Sequence, residues 1–307
     1  MRILLIAAAA VVATMLADAS AGAQKARTYT IAAKTIQSIE EAAPDAPLVK
    51  PARPRKVLVY GRMPTHPESV VCCFKAMEIL GKKTGAFEAF LSGNPTVFLP
   101  ENLEHFDAVV MNNTHERSPM LPQDMSGLSA AEQAEAKARE PLLKKSLLRF
   151  VTEGKGIVGV HGATAGSVQW PEFVELFGAQ YNGHFTSDFW VEPTEPDHPL
   201  VSFLDGKSFE VFDEFYFFRK GLTREPFPAD RYRVLLRLDV AKTNDPGRRD
   251  DKNYAVTWIR PYGKGRIFYC SLGHTARAYM SPAVLKHYLA GIQYAVGDLK
   301  ADASVEP

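Results

Sequence analysis

Cysteine is scarce in this chain: three residues in 307, two of them adjacent at Cys72 and Cys73 and the third at Cys270. Three thiols cannot make a disulfide framework, so buried thiols are expected, and none sits on a turn that would expose a thiolate nucleophile. Charge of one sign is also missing. Thirty-six basic residues face thirty-five acidic ones, for a net charge of +1. That balance gives no electrostatic reason for nucleic acid to bind, and none is expected as a partner. Long apolar runs are absent beyond residues 3–16, a stretch too short to span a bilayer comfortably. There is no internal repeat, no H-E-x-x-H, and no local pair of histidines at metal-ligand spacing.

What is present begins with that apolar stretch. Arg2 precedes it and Ala21-Gly22-Ala23 follows it, the pattern of an export signal with an A-x-A cleavage site. Residues 1–23 are therefore expected to be removed, no stable membrane insertion is expected afterwards, and the address is periplasmic or secreted. No cysteine follows the run to carry a lipid. Residues 24–55, rich in Ala, Pro and Lys and without a clear period, read as a linker or loosely packed arm. Residues 56–298 suit one large α/β domain, and 299–307 a tail.

Within that domain, strands are expected at 56–60, 86–91, 106–111 and 157–160. A helix is expected at 69–83, and helical segments over 130–153 are broken or kinked by Pro141. Strands joined by helical crossovers give an open, doubly wound, mostly parallel sheet of flavodoxin-like type. After Trp170 the pattern changes. Extra β segments are expected at 209–218, 232–238, 254–259 and 266–270, then a closing helix at 281–296 with Gly297 as its cap.

The central strand carries the best functional candidate. Glycines 154, 156 and 162 bound the apolar run 157–160, and His161 follows it directly. Open α/β sheets place their working groups at the carboxyl ends of such strands. The structural alternative is a histidine that merely closes its turn. Four other histidines, His66, His184, His198 and His274, fall in loops or at strand ends, and the loops bearing His66, Asn112, His161 and His274 could converge along one sheet edge. Glu214 lies among Phe212, Phe215, Tyr216, Phe217 and Phe218, where a carboxylate is costly to bury without a partner. His161 and Glu214 are the catalytic candidates; His66, His184 and His274 are candidate ligands for a divalent metal, zinc or manganese. Asn112, Trp170 and Tyr216 are candidate substrate contacts, since a sugar ring can lay its C–H face on an aromatic side chain, although most large aromatics are core residues. His198 reads as a turn residue, and His105 and His287 as surface residues beside helices. No nucleotide cofactor is expected.

Several short stretches taken in order resemble one family: Gly156-Ile-Val-Gly-Val-His-Gly-Ala163, Trp170-Pro171, Gly183-His184, Asp197-His-Pro199, Asp213-Glu-Phe-Tyr216, the run from Trp258 through Gly265-Arg266, Leu272-Gly-His274 and Gly291-Ile-Gln-Tyr-Ala295. The chain is identified by them as a member of the ThuA-like (trehalose utilisation) family over 56–297. The resemblance implies the class I glutamine amidotransferase-like fold and a role in breaking down disaccharides or other glycosides through 3-keto-sugars. His161 stands where amidotransferases keep a cysteine, so thioester chemistry is excluded. Ala165 stands where many relatives carry aspartate, and Phe185 where relatives often have proline. The leading expectation is an exported enzyme using acid/base or metal-assisted chemistry on a small-molecule carbohydrate, with hydrolysis, elimination and isomerisation all open. The alternative is a non-catalytic carbohydrate-binding or accessory domain.

Overall fold

A computed structural model describes residues 29–62 and 66–305. The export-signal reading of 1–23 lies outside them. In chain order the elements are α1 (Ala33–Ala42), β1 (Lys56–Gly61), α2 (Pro67–Thr84), β2 (Glu88–Ser92), α3 (Pro100–Leu103), β3 (Ala108–Asn112), α4 (Ala130–Thr152), β4 (Gly156–Val160), α5 (Pro171–Phe177), β5 (Ala179–Pro193), β6 (Phe209–Lys220), β7 (Arg233–Leu238), β8 (Ala255–Tyr262), β9 (Gly265–Cys270), α6 (Ala276–Tyr279) and α7 (Pro282–Ala295). Among the described residues no helix is long and apolar enough to cross a membrane.

The strands form one mixed sheet in the order β2-β1-β3-β4-β9-β8-β7-β5-β6. β3 and β4 are buried at every position, as strands covered by helices on both faces must be. Alternation then sorts their side chains into two cores. Val57, Val59, Val110 and Val158 face α2 and α7, while Leu58, Tyr60, Val109 and Ile157 face α4 and α5.

The expectation of a mostly parallel sheet needs correcting. Pairings from β2 through β1, β3 and β4 to β9 are parallel, but those from β9 through β8, β7 and β5 to β6 are antiparallel. The reason lies in the connections: after α5 the strands follow one another without a helix long enough for a crossover, and short links join only antiparallel neighbours. The β5–β6 ribbon meets β7 only through Val191–Pro193. It folds over the carboxyl ends of β4 and β9, where Phe218 packs edge-on against Tyr269 at 5.7 Å.

Four further expectations change. Residues 29–55 are no loose arm: Ile39 of α1 is fully buried, and the Gln293 side chain accepts from Leu48 N–H and donates to Val49 O. The tail is likewise docked, with Leu299 buried and Ser304 O accepting from Arg233. Pro141 sits inside an unbroken α4, whose start is fixed by the reciprocal Ser129–Glu132 cap. Finally, His287 is not on the surface. It is 1% exposed, donates from Nδ1 to Leu200 O (3.1 Å) and accepts at Nε2 from Thr257 Oγ1 (3.0 Å).

Candidate functional site

His161 leaves β4 in a one-turn 3-10 segment, His161–Thr164, with φ of 41°. A non-glycine residue in that region is strained by about 1 kcal/mol or more, and surrounding contacts must hold it there. Here Tyr269 Oη donates to the His161 carbonyl (2.8 Å), and the ring Nδ1 lies 2.6 Å from Ser271 O. A carbonyl only accepts, so Nδ1 carries a proton, and Nε2 points at Glu214 Oε2, 3.2 Å away. Between neutral imidazole and carboxylate, that leaves two lone pairs face to face. A proton or a cation between them resolves the repulsion.

Glu214 comes from β6 and lies at the centre of the histidines. Besides His161, its Oε1 is 3.2 Å from His184 Nε2 and its Oε2 is 3.5 Å from His274 Nδ1. Burial pushes this carboxyl upward, but the His161 hydrogen bond and the imidazoles of His161, His274 and His184 outweigh it, holding the group below the usual range. His184 is aimed by a β-bulge at Gly183, where φ is 103°. Tyr181 Oη lies 2.5 Å from its Nδ1; if the phenol donates there, Nε2–H faces Glu214.

His274 follows β9 in a loop pinned by Asp213. Fully buried, that carboxylate accepts from the N–H groups of Gly273 (2.5 Å), His274 (3.1 Å) and Thr275 (2.8 Å). Burial, reinforced by His161 and the other imidazoles against Glu214, pushes the His274 pKa down to about 4. Asp213 is pushed up by burial, against the pull of His161 and its N–H donors.

The structure therefore brings His161, Glu214, His184 and His274 together, and one ligand atom from each of His161, Glu214 and His274 lies within 4.8 Å of the other two. His66, N-terminal to α2, joins through ring contact with His274 at 4.9 Å, and burial and the neighbouring His115 lower its pKa. His115 is the residue that sequence reading missed. It stands three residues beyond β3, and its ring lies 5.1 Å from that of His66. A histidine a few residues past a central parallel strand was the available signal.

The substrate candidates divide. The Tyr216 ring lies 4.0 Å from His161 and forms a wall of the cluster. Asn112 is fully buried and donates to Val70 O, bracing α2. Trp170 is 4% exposed and stacked on Phe173 in the core. His198 is a buried turn residue, taking Leu200 N–H at Nδ1 and bonding Asp302 O through Nε2. All three cysteines are buried free thiols, with Cys72 and Cys270 both pushed up to about 12 by burial.

The molecule is thus an α/β domain whose parallel strands deliver several imidazoles to one buried carboxylate. A family model, ThuA (trehalose utilisation), matches residues 56–295, and the chain belongs to that family. A ThuA-like protein from Bacteroides uniformis superposes with a TM-score of 0.59 at 18% identity, covering 84% of this chain and 95% of that one. A ThuA-like protein from Parabacteroides merdae gives 0.53 at 17% identity, covering 84% and 98%. At such identities the likeness speaks for the fold. No curated protein matches the sequence.

Proposed function

We propose that this is an exported enzyme of sugar breakdown, acting on a glycoside or 3-keto-sugar, in which His161, Glu214 and His274 hold a divalent cation such as zinc or manganese. The family's link with trehalose utilisation supports the substrate class. The observation that carries the reading is the His161–Glu214 contact: Nδ1–H is spent on Ser271 O, so Nε2 is the nitrogen aimed at a carboxylate oxygen 3.2 Å away, with a proton or a cation needed between them. Metal-bound histidines are oriented in this way, by a carbonyl behind the ring. A cation bound there would supply Lewis-acid polarisation of a sugar carbonyl.

The chain's own groups do the rest. Asp213 fixes the loop carrying His274, and Tyr216 closes the inner wall. His184, with a side chain 42% exposed, is held by Tyr181 at Nδ1 and faces Glu214 through Nε2, which places it at the solvent side of the cluster to steady that carboxylate. Glu214 is the one carboxylate at the centre of the cluster, which disfavours two-carboxylate glycoside hydrolysis. The rival reading, a sugar-binding module, lacks its usual platform. Trp170 and Trp258 are core residues, and Trp190 is half-buried with the Lys242 ammonium 4.5 Å from its ring centre.

Metal analysis of the purified protein tests this. A stoichiometric divalent ion is expected, lost in both His161→Ala and His274→Ala, together with turnover of a keto-glycoside that chelation abolishes. Metal-free protein whose sugar binding survives chelation and yields no product would refute it. Export is tested separately by N-terminal sequencing of the mature protein, expected to begin near Gln24.

A further inference from the structure

We infer that the chain carries a second small-molecule seat, beside the Tyr216 wall of the imidazole cluster, for a hydroxylated molecule bearing a phosphate or carboxylate group. It uses none of the groups assigned to the cation and does not depend on that assignment. A cavity of about 100 Å³ opens between the end of β6 at 216–218, the turn at 224–227 and the loop at 248–255. One water takes about 30 Å³ in the liquid, so this is space for a single small polyatomic group. Arg224, Arg248 and Arg249 line it, and among the described residues no carboxylate does.

The three guanidiniums are not equally occupied. Arg249 is committed, with Nε donating to Asp251 Oδ1 (2.8 Å) and Nη1 to Phe227 O (2.7 Å). Arg248 is held without spending its donors. Its Cζ rests 4.2 Å from the centre of the Phe217 ring, and its one protein acceptor among the described residues is the Asn182 carbonyl, a long 3.5 Å from Nη1. Arg224 has neither a side-chain hydrogen bond nor an ion pair among the described residues. The backbone beneath Arg248 and Arg249 is fixed by Tyr254, whose Oη accepts both N–H groups (2.9 and 3.1 Å) and donates to Asp245 (2.9 Å). Two positive charges therefore reach the cavity unneutralised, and a guanidinium with free N–H groups takes phosphate or carboxylate oxygens two at a time.

Asn253 adds the demand for a hydroxyl. Its Oδ1 lines the same cavity, buried and without a partner. A buried acceptor left unpaired is costly, and a hydroxyl on the ligand satisfies it while the anionic group lies on the arginines. The seat adjoins the cluster without sharing its imidazoles. Tyr216 lines the cavity and also stands 4.0 Å from the His161 ring, and a Cβ on Gly183, in the bulge that aims His184, would come 3.0 Å from Arg248 Nη1.

The test is calorimetric titration of the purified protein with glucose 6-phosphate and, separately, with gluconate. It is repeated on Arg224→Ala, Arg248→Ala and, as a control for total charge, Arg277→Ala, which lies outside the cavity. One equivalent is expected to bind the wild type, and the tighter of the two ligands names the anion. Affinity should fall roughly tenfold or more in each cavity variant and stay unchanged in the control. Arg224 and Arg248 are exposed, so the variants should melt with the wild type. No binding of either ligand, affinity unchanged in both cavity variants, or an equal fall in Arg277→Ala would overturn the inference. An anion held by a cation at the cluster would survive both cavity variants, so this seat and the proposed metal centre fail separately.

Discussion

Asp213 and Glu214 are sequence neighbours with opposite duties, because adjacent strand residues point to opposite faces. Glu214 faces the imidazoles, while Asp213 takes three consecutive N–H groups of the 273–275 loop. Asp213→Ala leaves those donors buried without partners at about 1–3 kcal/mol each. We expect it to lower unfolding free energy by about 3 kcal/mol or more in urea titrations, and to weaken metal binding 10- to 100-fold, as loss of a supporting contact does. Asp213→Asn, which keeps an acceptor, should fall between.

His287 gives the pH dependence. Burial depresses its pKa to about 4, against about 6.5 in the unfolded chain. Between those values the unfolded state binds the extra proton, so stability is complete above pH 6.5 and is lost as pH falls toward 4. The loss approaches about 3 kcal/mol, and His287→Gln should flatten that part of a stability–pH curve measured on metal-free protein. His161 and Glu214 were legible from sequence because each stands out locally, one after an apolar strand and the other inside an aromatic one. His115 is set off from β3 by the polar run Asn112-Asn113-Thr114, so its place past a central strand is a weaker mark than that of His161, which follows its strand directly. His287 was misread because α7 is apolar around nearly its whole circumference, so no polar face distinguishes inside from outside.

α7 lies on β4 and β9 at backbone distance. A Cβ on Gly156 would come 2.2 Å from Ala295 O, and one on Gly291 would come 2.4 Å from the Phe268 ring. The first collision is with backbone, which no rotamer change relieves. Gly156→Ala should therefore cost about 3 kcal/mol by chemical denaturation, and Gly291→Ala less, since a ring can shift. At this scale the sequence disclosed the parallel strands well, because buried strands read as plain apolar runs and their crossovers as helices. It did not disclose that β5 pairs with β6 along nearly its whole length. That pairing is fixed by which strand lies nearest after folding, which periodicity does not record. Pro141 starts no new helix, because the rest of α4 outweighs one missing N–H.

The whole domain depends on a segment with little sequence signal. Ile39 fills the core beside α2, Leu48 N–H binds Gln293, and Arg55 forms a salt bridge with Asp298 at the other end of the chain. A chain beginning at residue 56, the start of the family match, should unfold at a midpoint several degrees lower in thermal melts, or express insolubly. Nothing in the composition of 29–55 announces this, because a short Ala-rich helix shows its value only once a surface exists for it to cover.

The ribbon of β5 and β6 hangs from the sheet by three residues of β7 pairing, yet it supplies Glu214 and His184 to a cluster whose other members ride on β4 and β9. A cation at that junction would act as a rivet between a rigid frame and a hinged flap. Amide hydrogens of 209–220 should then exchange with deuterium appreciably faster after chelation while those of β3 and β4 keep their protection, so that loss of metal is felt first as a local unlatching and only later as global melting.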